Sequence, residues 1–284
     1  MLAKHSPRTG FKHLLVFRVS DWCSMATVGV IDSGVGGLGI FKLLVEQMHN
    51  HSLIYCADNK NMPFGDKNSD ELQRIAEKLV SFLIEQHKVS LVVVACNTLS
   101  VSALDFLRKR FTIPFVGVVP VVKPACEQSK VKKIAILATP MTATSAYQKE
   151  LIAKYAEGAH VLNIACPDLA RLIEEGRGDE PIVLEKLAEY LKPVLDNNVD
   201  VVGLACTHYP FIRHHIAGLL PSSVTILDSN EAVARRAMTL VQESIPSQSP
   251  SIHVYATRDP ENFKQVAQRL VGAHIVNDVV LAAF

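Results

Sequence analysis

The sequence predicts an α/β protein made of two pseudo-symmetric domains, each a mostly parallel sheet covered by helices, with the functional site in the cleft between them. The first observation is that short apolar runs alternate with segments of helical periodicity from Val28 onward, which is the pattern of βα units. The second is a motif that ends two such runs 110 positions apart, as Ala95-Cys96-Asn97-Thr98 and as Ala205-Cys206-Thr207-His208. A chain of 284 residues is also long enough for two domains.

The predicted strands are apolar runs of four or five residues, separated by turn-forming or helix-period segments. They are Val28–Ile31, Leu53–Cys56, Leu91–Ala95, Phe115–Val119, Ile134–Ala138, Val161–Ala165, Val201–Ala205, Val224–Leu227 and Ile252–Tyr255. The helical pattern is best developed over Ser69–His87, where Ser69 is the expected N-terminal cap. One face of that helix carries Leu72, Ile75, Ala76, Leu79, Phe82 and Leu83.

The duplicated motif predicts where the site lies. In the first half, Asp32 follows the strand Val28–Ile31 and lies 64 residues before Cys96. In the second half, Thr139 follows the strand Ile134–Ala138 and lies 67 residues before Cys206. Ligands of open α/β sheets bind outside the carboxyl ends of the strands. We therefore expect these four residues to meet in the cleft between the halves.

The domain limits follow from the same pattern. Residues 1–25 precede the first convincing strand and are expected to form an N-terminal arm outside the core. The first domain is predicted to comprise residues 26–120 and 229–284, and the second residues 121–228. The pair Asp228-Ser229 repeats Asp32-Ser33 and marks the return of the chain to the first domain, and the Pro/Ser-rich stretch Ser244–Ser251 is a predicted loop.

Composition excludes several classes of protein. The 29 Lys and Arg against 28 Asp and Glu leave a net charge of +1, which provides no basic surface for nucleic acid. The longest apolar runs are strand-sized, well below the roughly 18 residues of a membrane span. Six cysteines without a CxxC pair, and an N-terminus without an export signal, favour a cytoplasmic protein.

The cluster Gly34, Gly36 and Gly39 matches GxGxxG after a strand, with Asp58 after the next strand, as in dinucleotide-binding proteins. However, Asp32 would place a carboxylate next to the pyrophosphate, and a nucleotide gives the cysteine motifs no role. The alternative is a tight turn into a helix over Gly37–Met48, whose N–H groups face a ligand carboxylate.

Cys96 and Cys206 are the candidate reactive groups. A free thiol, with a pKa of about 8.5, is a weak base unless a neighbour favours the thiolate, and Asp32 and His208 are candidate neighbours. Two facing thiols suit the removal of a proton from one face of a carbon and the return of a proton to the other. Zinc is a competing use of Cys206 and His208, but two ligands without a second pair form a poor site, so no metal is predicted. The remaining cysteines are expected to be buried apolar groups: Cys23, Cys56, Cys126 and Cys166.

These residues resemble the glutamate racemase family, cofactor-independent enzymes that interconvert L- and D-glutamate for peptidoglycan synthesis. The matching segments follow the family order from about residue 28 to about residue 240. They are Val30-Ile31-Asp32-Ser33-Gly34-Val35-Gly36-Gly37-Leu38, Met62-Pro63-Phe64-Gly65, Val94-Ala95-Cys96-Asn97-Thr98, Gly117-Val118-Val119-Pro120, Lys123-Pro124-Ala125, Leu137-Ala138-Thr139 and Leu204-Ala205-Cys206-Thr207-His208-Tyr209-Pro210.

The resemblance implies that Cys96 acts on D-glutamate with help from Asp32, and that Cys206 acts on L-glutamate with help from His208. Glu174 lies where the family has a further assisting carboxylate, although Glu175 adjoins it and a solvated helix face is an alternative. The implied substrate contacts are Asp32, Ser33, Phe64, Gly65, Asn97, Thr98, Thr142, Thr207 and His208. Family members commonly have tyrosine at the position of Phe64, so that hydroxyl contact is lost here.

Three other functions stay open on the sequence alone. Aspartate racemase shares the paired-cysteine plan, an NAD(P)-dependent oxidoreductase would use Gly34 to Gly39, and a binding protein for an acidic amino acid would need no thiols. The expected partner is a small-molecule substrate, without a cofactor, nucleic acid or membrane. Two further partners stay open: a second copy of the chain in a homodimer, and a peptidoglycan precursor that activates the protein.

Overall fold

The computed structural model describes residues 26–241 and 249–283. Ten strands are present in this part of the chain. In chain order they are β1 Thr27–Asp32, β2 Ser52–Ala57, β3 Leu91–Val94, β4 Phe115–Gly117, β5 Lys133–Ala138, β6 His160–Ala165, β7 Val201–Ala205, β8 Thr225–Leu227, β9 Ile252–Ala256 and β10 Val280–Leu281.

Helices connect the strands, as expected of parallel βα units. They are α1 Leu38–Gln47, α2 Ser69–His87, α3 Asn97–Arg110, α4 Val122–Gln128, α5 Pro140–Thr144, α6 Ala146–Tyr155, α7 Leu169–Glu174, α8 Pro181–Asp196, α9 Arg213–Leu219, α10 Asn230–Val241 and α11 Pro260–Val271. Two 3-10 turns, Phe64–Asp66 and Tyr209–Ile212, follow β2 and β7.

The strands form two parallel sheets whose orders reveal the duplication. The first sheet has the order β10-β9-β2-β1-β3-β4, and the second has the order β6-β5-β7-β8. The run β2-β1-β3-β4 and the run β6-β5-β7-β8 are the same arrangement, so β1 corresponds to β5 and β3 to β7. The prediction of an α/β fold with two similar halves is confirmed.

The central strands of each sheet are buried on both faces, which explains why they read as unbroken apolar runs. In β1, Val28 and Val30 pack into the core on one face of the first sheet, whereas Ile31 packs into the core on the other. In β5, Leu137 and Ile136 likewise point to opposite faces of the second sheet. Helices therefore cover both sides and leave the strand ends as the place for polar groups.

The structure corrects several local predictions. The cap of α2 is Asn68, whose side chain accepts the N–H of Glu71, and Ser69 is the first helical residue. The short edge strand β10 was not predicted, although Val280 and Leu281, both exposed in the structure, lie in the apolar run at 279–284. The expected arm at 1–25 and most of the Pro/Ser-rich loop lie outside the described residues. Among the helices of the described part, none has the length and hydrophobicity needed to cross a bilayer.

Candidate active site

Cys96 and Cys206 follow the equivalent strands β3 and β7, and both line one cavity of about 220 Å³ between the two sheets. The cavity is therefore built from both halves, at the carboxyl ends of the strands. Its lining comprises Ser33, Met62, Pro63, Phe64, Gly65, Asp66, Cys96, Asn97, Thr98, Thr139, Pro140, Cys166, Pro167, Asp168, Ala170, Arg171, Cys206, Thr207 and His208.

Cys96 is the residue that precedes α3, and its thiol is only 5% exposed. Its sulfur lies 4.0 Å from the hydroxyl of Ser33. Burial, and then the negative charge of Asp32, raise the pKa of Cys96 well above the usual range. In the absence of a cationic ligand, this group is therefore held as the neutral thiol.

Asp32 ends β1 and is fully buried behind the cavity lining. One carboxylate oxygen, Oδ2, accepts the N–H of Gly37 at 2.7 Å and the hydroxyl of Tyr55 at 3.4 Å. The other, Oδ1, has no hydrogen-bond partner among the described residues. Burial raises the pKa of Asp32 to about 6, although the positive charge of His208 and the Gly37 hydrogen bond act in the opposite direction. The negative charge of Asp32 acts on Cys96, but Asp32 does not line the cavity in which it was predicted to contact the substrate.

On the opposite side of the cavity, Cys206, His208 and Glu174 form a chain of contacts. Nδ1 of His208 lies 3.9 Å from the sulfur of Cys206, and Nε2 lies 3.0 Å from a carboxylate oxygen of Glu174. Burial alone would lower the pKa of His208, but hydrogen bonds to Cys206 and Glu174 outweigh it and hold that pKa well above the usual range. His208 is thus an imidazolium between a sulfur and a carboxylate.

Glu174, the last residue of α7, is the carboxylate that contacts His208, whereas Glu175 pairs at the surface with Arg171 and Arg177. The same oxygen of Glu174 also accepts the backbone N–H of Val35 at 2.7 Å. Glu174 therefore joins the histidine of the second half to the glycine turn of the first.

The glycine turn packs against these catalytic candidates. A Cβ atom at Gly34 would overlap the carboxylate of Glu174, and one at Gly36 would overlap the ring of His208. The N–H groups of Val35 and Gly37 already donate to Glu174 and Asp32. The turn thus binds carboxylates of the chain itself, which corrects the expectation that these N–H groups face a ligand and argues against a dinucleotide there.

Three threonine hydroxyls connect the halves beside the cavity. Thr98, at the start of α3, lies 2.9 Å from the hydroxyl of Thr139 and 3.3 Å from that of Thr142. Thr139 donates to Thr142 at 3.1 Å. Thr98 and Thr139 line the cavity, whereas Thr142 is fully buried and does not. Thr142 was predicted to contact the substrate, but in the structure it lies behind Thr98 and Thr139, outside the cavity lining.

The other predicted contacts lie around the cavity. Ser33, Phe64, Gly65 and Thr207 line it together with Asn97, whose buried amide nitrogen has no hydrogen-bond partner among the described residues. A buried amide without a partner is costly in an empty site, so Nδ2 of Asn97 is a donor available to a ligand.

Some lining residues were not predicted. Cys166 follows β6, and although it is buried as expected, it also borders the cavity. Arg171 and Asp168 border it from α7, where Arg171 pairs with Asp168 and Glu175. No motif surrounds Cys166, Asp168 and Arg171, so the sequence could have indicated them only by their position after β6. That strand corresponds to β2 of the first sheet.

Comparison with known proteins agrees with this geometry. The sequence pattern of the Asp/Glu/Hydantoin racemase family matches residues 28–237. A glutamate racemase of Roseiflexus sp. is 39% identical over 253 residues, which is 87% of this chain and 93% of the relative.

Solved structures show the same fold. The glutamate racemase of Escherichia coli, in complex with L-glutamate and the activator UDP-MurNAc-ala, superposes with a TM-score of 0.79 at 31% identity, covering 86% of this chain and 95% of that one. The glutamate racemase of Francisella tularensis, in complex with D-glutamate, superposes with a TM-score of 0.80 at 28% identity, covering 91% and 98%. The resemblance predicted from the motifs is confirmed, and the chain belongs to the Asp/Glu/Hydantoin racemase family.

Proposed function

We propose that this chain interconverts L- and D-glutamate by proton transfer at the α-carbon between two cysteines, without a cofactor, and so supplies D-glutamate for peptidoglycan synthesis. The observation that carries the proposal is that Cys96 and Cys206 follow equivalent strands and border the same cavity from opposite halves. Each has its own proton-handling neighbour, Asp32 for Cys96 and His208 for Cys206. Such an arrangement suits a substrate whose two mirror images must both be deprotonated.

In the direction from L- to D-glutamate, Cys206 as thiolate removes the α-proton and Cys96 as thiol protonates the opposite face. The products are D-glutamate, the Cys206 thiol and the Cys96 thiolate. The substrate has lost one proton to Cys206 and gained one proton from Cys96. His208, as an imidazolium 3.9 Å from the Cys206 sulfur, can donate a hydrogen bond to the anion. The raised pKa of Cys96 makes the thiol its resting form, as this direction requires.

In the reverse direction, Cys96 must lose its proton before it can act on D-glutamate. Asp32, with a pKa raised to about 6, is largely ionised at neutral pH and carries an oxygen without a hydrogen-bond partner among the described residues. We propose that Asp32 accepts the proton of the Cys96 thiol or stabilises that proton electrostatically as it leaves the sulfur. The ammonium group of the substrate would further favour the thiolate by bringing a positive charge into the cavity.

Substrate binding is proposed to rely on short neutral donors. Ser33, Asn97, Thr98 and Thr207 border the cavity, and Phe64 with Gly65 adds backbone groups. Rigid neutral donors can hold two carboxylates without pairing with the thiolate as a free guanidinium would. Arg171 borders the cavity as well, but its charge is paired with Asp168 and Glu175.

Further parts of the proposal concern organisation. We place the first domain at residues 26–120 and 229–284 and the second at residues 121–228, which is supported by the division of the strands between the two sheets. We also propose that residues 1–25 form an N-terminal arm, that the protein forms a homodimer and that it is cytoplasmic. A peptidoglycan precursor is a candidate activator because the related Escherichia coli enzyme was crystallised with UDP-MurNAc-ala as its activator.

The test is incubation of the purified protein with D-glutamate in heavy water, with no cofactor added. Loss of the α-proton signal by NMR and appearance of L-glutamate by chiral separation are both expected. Aspartate, tested in parallel, should react far more slowly. Faster turnover of aspartate would overturn the assignment of glutamate, and reaction only after addition of NAD(P) would overturn the two-thiol mechanism.

A further inference from the structure

A separate group of ionisable side chains lies outside the cavity, at Asp179, His214 and His215. Asp179 is in the turn between α7 and α8, and the two histidines are at the start of α9. Nε2 of His215 lies 2.8 Å from Oδ1 of Asp179, and Nε2 of His214 lies 3.2 Å from the same oxygen. The two imidazole rings are 3.9 Å apart, so both nitrogens converge on one point.

We propose that Asp179, His214 and His215 form a binding site for a divalent transition-metal ion of the zinc type. Their ligand atoms all lie within 4.8 Å of one another. Imidazole nitrogen favours zinc, copper and nickel, whereas magnesium and calcium prefer sites made only of oxygen. Two histidines and one carboxylate are also a known three-ligand set for zinc, with the fourth position left to water.

The spacing of the ligand atoms fits one ion. Zinc binds nitrogen and carboxylate oxygen at about 2.0 to 2.2 Å, which places neighbouring ligand atoms of a tetrahedral site about 3.3 Å apart. The contacts of 2.8 and 3.2 Å to Asp179 are close to that separation. For these two contacts, insertion of an ion requires shifts of only a few tenths of an ångström, and the two imidazole nitrogens lie within 4.8 Å of each other.

The site is accessible and its carboxylate is not neutralised. The side chains of Asp179, His214 and His215 are 83%, 61% and 19% exposed, so a hydrated ion can reach them. Within the described part of the chain no lysine or arginine pairs with Asp179, whereas Arg177 pairs with the adjacent Glu180. Among the described residues, the carboxylate of Asp179 therefore pairs with the two imidazoles and with no other cationic side chain.

The position of the site links two segments of the candidate active site. Asp179 follows Glu174 by five residues, and His214 follows His208 by six. A bound ion would tie the turn after α7 to the start of α9, just beyond the two residues that contact each other beside Cys206. We expect metal binding to reduce backbone opening in both segments.

The test is a Zn²⁺ titration by competition with a fluorescent chelator. It is performed on the Cys96→Ser/Cys206→Ser protein under a non-thiol reductant, because the two thiols of the proposed catalytic pair would otherwise compete for the ion. Asp179→Asn, His214→Gln and His215→Gln, each added to that background, should weaken binding by at least about tenfold. The matched control is His160→Gln, an exposed histidine at the start of β6 and outside the proposed site, which should bind like the parent. Equal affinity in all variants, or no binding by the parent, would overturn the proposal.

Three further measurements distinguish this site from others. Bound Co²⁺ should give weak visible bands without the intense near-ultraviolet absorption of a cobalt–thiolate bond, which would indicate cysteine ligands instead. Hydrogen exchange should slow on Zn²⁺ addition at residues 175–180 and 213–216, and not in His215→Gln. The titration should show one ion per protein molecule and sedimentation should show an unchanged mass, whereas a metal-linked dimer would contradict a site within one chain.

Discussion

The carboxylate of Glu174 accepts the backbone N–H of Val35 at 2.7 Å, although the two residues are 139 positions apart and belong to different halves of the protein. The same oxygen lies 3.0 Å from Nε2 of His208. The glycine turn of the first half therefore fixes the carboxylate that orients the histidine of the second half. The arrangement of Cys206 and its neighbours is complete only while the two halves are in contact.

Gly34→Ala should disrupt this contact, because a Cβ at Gly34 would overlap the Glu174 carboxylate. Displacement of a positioning group by about 1 Å lowers activity by about a hundredfold. Since Glu174 acts through His208 on Cys206, α-proton exchange in heavy water should fall further starting from L-glutamate than from D-glutamate. Gly218→Ala is the matched control, because a Cβ there has open space, and its rates should equal the wild type. Equal loss from both enantiomers would mean that the turn supports the whole cavity rather than the Cys206 side.

Cys206→Ser should abolish racemisation, with a loss of at least about a hundredfold, because an alcohol is a far weaker acid than a thiol. Exchange of the α-proton with solvent should be better retained from D-glutamate, on which Cys96 acts. Cys96→Ser should show the opposite preference, and NMR in heavy water measures both. Cys126→Ser, which changes a buried thiol outside the cavity, serves as the control. If each variant lost both exchange reactions equally, the assignment of one face to each thiol would be wrong.

The pKa of Asp32, raised by burial from 3.8 to about 6, predicts a pH-dependent stability. Because the folded state favours the protonated carboxyl, this residue reduces stability as pH rises from about 4 to about 6, by about 3 kcal/mol in total. Asp32→Asn mimics the neutral form. Its free energy of unfolding, from urea titrations, should match the wild type at low pH and exceed it at pH 7.5.

The same variant should lose activity, most of all from D-glutamate, because Asp32 is the carboxylate beside Cys96. In the wild type, kcat/KM should decline as pH falls through about 6, and this decline should be absent from the residual activity of Asp32→Asn. Asp105→Asn, whose carboxylate is 83% exposed, should change neither the stability profile nor the rates. A stability difference that does not vary with pH would contradict the raised pKa.

The sequence predicted the sheets well because buried parallel strands are both apolar and short, as Leu91–Val94 and Val201–Ala205 show. The duplicated motifs predicted the cavity because corresponding strands end at the same edge of their sheets. Contacts between the halves were not predictable, since the pairing of Glu174 with Val35 depends on how the two sheets pack. Asn68 was missed as a cap because Ser69 is an equally suitable residue one position later.

Thr142 illustrates the same limit, because its type suggests a substrate contact but its position is behind the cavity lining. Thr142→Val keeps the side-chain shape and removes the hydroxyl that contacts Thr98 and Thr139. The free energy of unfolding should fall by about 1 kcal/mol, and KM for both enantiomers should rise because the Thr98 hydroxyl loses one of its partners. Thr144→Val, which removes an exposed hydroxyl bonded to the Pro140 carbonyl, should leave KM unchanged. A fall in kcat with an unaltered KM would show that the hydroxyl of Thr142 serves the proton transfers rather than binding.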